Sequence, residues 1–256
     1  MVEPTARIRL YESRDDKQVR FAISKANLAC LAVANQNAYV HPMALSVWIG
    51  LSCILVQYMQ WWPRPEVNGA LAYLSPIPCF ASMAVPCMFL IDWINRPYFE
   101  KLTQDALTRE DLRDIASYYA QCPESGFWIL EYGSIFVGLL ALDASTEAPS
   151  VTGKKNKSKP KKGTSPAATI RHFYIEEPYR KTGIQEDLLN HAVRHAFNAS
   201  REVQAIKAAD SPLALYAREA YKKKGFALEK YTEKVGVFGW KLGERKLERS
   251  AWEKQE

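Results

Sequence analysis

"EEPYRKTGIQEDLLNHAVRHAF", residues Glu176 to Phe197, is the stretch whose reading decides the fold. The residues before it, "TIRHFYI", read as a strand. Within it Leu188, Leu189, Ala192, Val193, Ala196 and Phe197 recur at helical spacing, so an amphipathic helix with one buried stripe follows. Between strand and helix lies a basic turn of Arg180, Lys181, Thr182 and Gly183. A helix start leaves its first N–H groups unpaired and pointing one way, with partial positive charge, and an anion fits there. Gly183 permits close backbone approach, and Arg180 and Lys181 add charge. The expected ligand is a phosphate or pyrophosphate, held at this turn.

Downstream, "VQAIKAA" reads as a strand and "SPLALYAREAYKKKGF" as a helix capped by Ser211, with Pro212 in its first turn and Gly225 at its end. "ALEKYTEKVGVFGWKL" supplies two last strands, and residues 243–256 read as a charged, exposed tail. Upstream, "ARIRLYES" is a short strand and "RDDKQVRFAISKANLACLAVA" a helix. "LTREDLRDIASYYAQ" reads as a helix with Thr108 as cap and Asp111 as the reciprocal acid. "GFWILEYGSIFVGLLALDAS" is a β-hairpin turning at Tyr132-Gly133-Ser134. Residues 145–168 hold six lysines and three prolines and no large apolar residue except Val151, the composition of a disordered insertion. Its run from Lys154 to Lys162 suits anionic lipid headgroups. Nucleic acid is disfavoured, because no aromatics interleave the lysines for stacking. A solvated insertion between strands is the plainer alternative.

The 256 residues are 48% hydrophobic with a formal net charge of +6, and the apolar residues are unevenly spread. Met43 to Trp62, "MALSVWIGLSCILVQYMQWW", carries no charge, and about twenty such residues cross a ~30 Å hydrocarbon layer as a helix. Val67 to Ile91 is a second uncharged run, with Pro76, Pro78 and Pro86, which membrane helices tolerate. A buried helical hairpin in a soluble core is the competing reading, but runs this long are uncommon there. Trp48, Trp61, Trp62, Tyr73, Trp93 and Tyr98 lie mostly near the run ends, where amphipathic rings favour the interface. Arg14, Lys17, Arg20 and Lys25 before the hairpin, with Arg96 and Lys101 after it, outnumber Arg64 in its turn. Both flanks therefore read as cytosolic. The N-terminus is polar, so no cleavable signal is visible. The five cysteines lack paired metal spacing, and reduced thiols suit a cytosolic face.

Residues 100–242 resemble the GNAT superfamily of acetyl-CoA-dependent N-acyltransferases. That family's signature is Arg/Gln-x-x-Gly-x-Gly/Ala at a strand-to-helix junction, with an apolar strand end five positions before the Arg. Ile175 and Arg180 stand at that interval. The family's next helix carries a Tyr four residues before a Gly-Phe, matched by Tyr221, Gly225 and Phe226. The order of elements agrees, and the apolar hairpin between the first two helices resembles the membrane-anchored Camello-like branch. The resemblance implies an α/β (α+β) GNAT fold with a mixed, mostly antiparallel twisted sheet and an inserted transmembrane helical hairpin. The organisation is then 1–40, first strand and helix; 41–98, membrane hairpin; 99–242, main catalytic domain; 243–256, tail. An intracellular membrane is expected, the endoplasmic reticulum being what the resemblance suggests.

The resemblance also implies acetyl-CoA as cosubstrate. Its pantetheine arm would lie beside the strand ending at Ile175, and its pyrophosphate on the amides of Lys181 to Gln185. A primary amine, on a small molecule or a protein lysine, would attack the thioester directly, and Tyr221 would protonate the leaving thiolate. The base is His172, a residue type that titrates near neutral pH, or Glu176. A core role is the plainer reading of either His172 or Tyr221, and Tyr216 competes with Tyr221. His191 and His195 lie four apart on one helix with no further ligand near, so a metal is not expected. Gln185 replaces the family's usual small residue, and Ala214 stands where many members place an Asn. Those departures keep open a catalytically degenerate membrane interaction module.

Overall fold

The computed structural model describes residues 5–145 and 164–254; the lysine run Lys154 to Lys162 lies outside them. Strand β1 (Ala6–Leu10) leads through a 3₁₀ turn into α1 (Asp16–Tyr39). Helix α2 (Pro42–Met59) follows, then the short α3 (Pro65–Asn68), a 3₁₀ turn (Gly69–Leu74) and the long α4 (Ile77–Leu107). A 3₁₀ turn (Glu110–Leu112) and α5 (Ile115–Tyr119) return the chain to the sheet as β2 (Gly126–Tyr132) and β3 (Ile135–Ser145). Then come β4 (Thr164–Ile175), α6 (Ile184–Ala199), β5 (Ala205–Asp210), α7 (Leu215–Lys223), β6 (Ala227–Val235), β7 (Trp240–Glu248) and α8 (Arg249–Trp252).

The described strands form one sheet in the order β1-β2-β3-β4-β5-β7-β6, antiparallel except for β4 beside β5. This is the expected mixed, mostly antiparallel GNAT architecture. Both faces of its centre are covered, which explains why "GLLAL" in β3 is apolar without a break. Leu139 and Ala141 face a core built with Val19 and Ile23 of α1 and Leu112. Leu140 and Leu142 face the opposite core, with Leu188, Leu189 and Val193 of α6.

Helix α2 and the segment Gly69–Leu107 are long and apolar enough to cross a membrane. Large apolar side chains such as Ile54, Tyr58, Val85, Phe89 and Trp93 point outward from them. Helix α4 does not stop at residue 98: it continues through Pro97 to Leu107, so the expected boundary there is crossed by one uninterrupted helix. Thr108 ends that helix instead of starting another, its hydroxyl donating to Gln104 O at 2.8 Å. The N-cap of α5 is Asp114, which accepts from Ser117 N at 3.1 Å.

Three further expectations are corrected. The insertion assigned to 145–168 overlaps β4, which begins at Thr164 and pairs Ala167 with Ala205 and Ala168 with Ile206. Small residues gave no periodicity there, yet they are what a strand between two neighbours accommodates. Residues 243–252 are not a solvated tail, because β7 runs to Glu248 and Trp252 of α8 packs on Phe197 with centroids 5.0 Å apart. Two of their charges are paired inside the fold: Arg245 Nε donates to Asp210 at 2.7 Å, and Lys207 meets Glu244 at 2.8 Å. Helix α7 starts at Leu215, not at the Ser211 cap; Ser211 Oγ accepts from Leu213 N at 3.2 Å in the turn before it.

Candidate active site

Strand β4 is paired to β3 along its length but to β5 only from Ala167↔Ala205 to Ile170↔Ala208. Beyond that point the two parallel strands part. A bulge sets the divergence: opposite β3 the register passes from Leu142↔Ile170 to Ala141↔His172, leaving Arg171 without a cross-strand partner. An extra residue bends and twists a strand locally. Arg171 is held there by Asp143 at 2.6 Å from Nε and by the Tyr118 hydroxyl at 3.0 Å.

The gap is a cavity of about 250 Å³. One side is the parted strands, with His172 and Phe173 facing Ala209 and Asp210; Tyr216 and Tyr221 of α7 close it. The other side is helical, formed by Asn27 and Cys30 of α1 and Phe99, Leu102 and Ala106 of α4. Carbonyls of β4 that would have met a strand are met by side chains. Tyr216 Oη donates to Phe173 O at 3.1 Å, and Arg180 Nε donates to Ile175 O at 2.9 Å.

Arg180 is therefore placed differently from its expected role beside an anion. Its guanidinium turns back on the strand it follows and lies over the Tyr216 ring, 4.2 Å from the centroid. A half-buried guanidinium needs acceptors, and the unpaired strand end supplies one. Lys181 is exposed, and Thr182 donates to Tyr179 O at 2.7 Å, tightening the turn. Gly183 is the N-cap of α6 at φ +83°, which glycine adopts without strain. Glu186 N bonds Gly183 O at 2.8 Å, and the amides of Gly183, Ile184 and Gln185 precede the first full turn. Ile184 packs against the α6 core, and Gln185 is buried in the domain, its Oε1 without a partner. Gly183→Ala is expected to lower stability by about 1 kcal/mol through the left-handed backbone alone, since open space surrounds the missing Cβ. Thermal unfolding would read this, and an unchanged Tm would refute it.

His172 is 8% exposed and its Nε2 lies 3.0 Å from Asp111 Oδ2. The Tyr119 hydroxyl donates to the same oxygen at 3.1 Å. Burial alone would raise the Asp111 carboxyl; the hydrogen bond and charge of His172, with Arg171 and Arg109, outweigh it and hold the group at about 2. Asp111, read from the sequence as the reciprocal acid of a capping box, instead meets His172 across the fold. Its 3₁₀ turn meets β4 only through the fold. Glu176, the other candidate base, is outside the cavity lining and is held by Lys25 Nζ at 2.6 Å.

Tyr221 is 3% exposed, its ring 5.6 Å from Phe173 and 5.3 Å from Phe226. Burial, with Tyr216 and Asp210 nearby, pushes its phenol well above the ordinary tyrosine range, so it stays protonated. His191 and His195 lie away from the cavity, edge-on to Trp128 at 5.5 and 5.0 Å. The structure thus brings together His172, Ile175, Arg180 and Tyr221 around the parted strands, with the glycine turn at their end.

A family model described as the acetyltransferase (GNAT) family matches residues 88–226, more than half of the chain. The chain belongs to that family. It is an acetyl-CoA-dependent acetyltransferase. Similar solved structures include a GNAT-family acetyltransferase from Staphylococcus aureus Mu50, at 12% identity and TM-score 0.46 over 95% of this chain and 100% of that one. A GNAT-family acetyltransferase from Streptococcus pneumoniae shares 16% identity at TM-score 0.44, over 62% of this chain and 90% of that one. The ribosomal-protein-S18-alanine N-acetyltransferase from Escherichia coli shares 14% at TM-score 0.38, over 54% and 76%. No curated protein matches the chain.

Proposed function

We propose that this acetyltransferase is anchored in an intracellular membrane by α2 and α4 and acetylates a primary amine by direct attack on acetyl-CoA. The observation that carries the reading is the opening of β4 from β5 after Ile170, with His172 and Tyr221 both lining the cavity that results. Acetyl-CoA supplies the thioester carbonyl. His172, oriented by Asp111, takes a proton from the attacking nitrogen as the C–N bond forms and the C–S bond breaks. Tyr221 gives a proton to the departing sulfur, so amide and thiol leave with the protons in balance. Holding both reactants in one slot supplies much of the acceleration. Glu176, tied to Lys25, serves the strand end and not the chemistry.

The anchor rests on two long helices with outward apolar side chains and on Trp61, Trp62 and Trp93 near the ends of the uncharged runs. The flanking Arg14, Lys17, Arg20 and Lys101 favour a cytosolic catalytic face. The hairpin's place in the chain fits the Camello-like branch, and with it the endoplasmic reticulum; the Lys154 to Lys162 run would add attraction to anionic lipid. Gln185, buried, leaves the turn amides to the pyrophosphate and weighs against a degenerate module. Isothermal titration of the detergent-solubilised chain is expected to show acetyl-CoA binding, and labelled acetyl-CoA is expected to acetylate an amine. No heat at millimolar cosubstrate would end the proposal.

A further inference from the structure

Resting on that reading, we infer that the acceptor is an amphiphile resident in the bilayer: a primary amine carrying an apolar tail, admitted to the cavity along α1 and α4. Helix α4 carries the junction. Its exposed apolar residues continue through Phe89, Trp93 and Ile94 to Tyr98, and the next residue, Phe99, is 1% exposed and lines the cavity. From Ile94 to Phe99 the axial rise is about 8 Å, comparable to the ~5–8 Å depth of one headgroup layer. The wall of the reaction cavity therefore begins where the membrane interface ends, on one continuous helix.

A buried polar clamp fixes this geometry. Asn95, fully buried, donates to Asn35 of α1 at 2.9 Å and accepts from Val237 N, in the β6–β7 turn, at 2.9 Å. Asn35 donates in turn to Asp92 at 2.7 Å. Beside the clamp, His41 at the start of α2 stacks on Phe238 of the same turn, centroids 3.9 Å apart. The apolar hairpin is thus joined to the sheet, and β6 brings Val235 into the cavity wall. Leu31, Phe99 and Val235 share one apolar cluster, with Leu102 packed against it. That side of the cavity offers a tail an apolar path and leaves the amine facing His172.

The test is the chain-length dependence of acetyl transfer to butyl-, hexyl- and octylamine, with the full chain in phosphatidylcholine vesicles. Burial of each added methylene is worth roughly a threefold to fourfold gain, so kcat/KM for octylamine is expected on the order of a hundredfold above butylamine. Leu102→Asn should cut that ratio at least tenfold, whereas simple partitioning into the vesicle would leave it the same; Leu102→Ala replaces it if the first variant fails to bind acetyl-CoA. A flat series with transfer intact overturns the apolar acceptor and leaves the acetyltransferase standing. A steep series unmoved by either variant overturns the cavity path. Absence of both cosubstrate binding and transfer in the wild-type chain removes the function on which the inference rests.

Discussion

Tyr221→Phe is expected to lower kcat by roughly 10²–10⁴-fold, the contribution of a positioned general acid, while leaving acetyl-CoA binding intact. The substitution removes one hydroxyl and keeps the ring between Phe173 and Phe226, so the fold should survive. Burial keeps the phenol protonated, which suits a group that must give a proton when charge develops on sulfur. Tyr216→Phe is the contrast. It removes the bond to Phe173 O on the parted strand edge, so its effect should fall on the KM for acetyl-CoA more than on kcat. Single-turnover rates at saturating cosubstrate separate the two. A Tyr221→Phe rate within threefold of the wild type would assign the proton to another donor.

His172→Ala is expected to cost about 10²-fold in kcat/KM while leaving acetyl-CoA binding intact. With its carboxyl held at about 2, Asp111 stays ionised throughout the working range. The sign of its linkage to stability follows: the folded carboxyl lies below its ordinary value, so its stabilisation is present above the unfolded pKa and is lost as pH falls toward 2. Asp111→Asn keeps a hydrogen-bonding group against His172 but removes the negative charge beside it, so kcat should fall while acetyl-CoA binding is retained. An unchanged kcat in His172→Ala and in Asp111→Asn would show that His172 only supports the strand. Glu176→Gln, by contrast, should break the Lys25 ion pair and leave kcat in place.

The strand, basic turn and helix around Gly183 were legible in the chain because each is a local property: alternation, a residue free to adopt positive φ, and a 3.6-residue stripe. The apolar hairpin was legible for the same reason, being a matter of length and absent charge. The β4 start at Thr164 was not, since Ala167 and Ala168 carry no pattern until β5 lies beside them. Nor was β7, whose Glu244 and Arg245 look solvated until Lys207 and Asp210 are brought against them.

By itself, then, the sequence determined the order of most elements, the basic glycine turn and the two membrane-length segments. Tertiary structure alone decided that Asp111 would hold His172, that Arg180 would turn back onto Ile175, and that Phe99 of the long apolar helix would line the cavity between the parted strands. The Asp111–His172 pair spans 61 residues of chain. Distance along the chain carries no information about which buried charge finds which partner, because that pairing is settled by burial itself: an ionised group removed from water must be matched by whatever the fold places next to it.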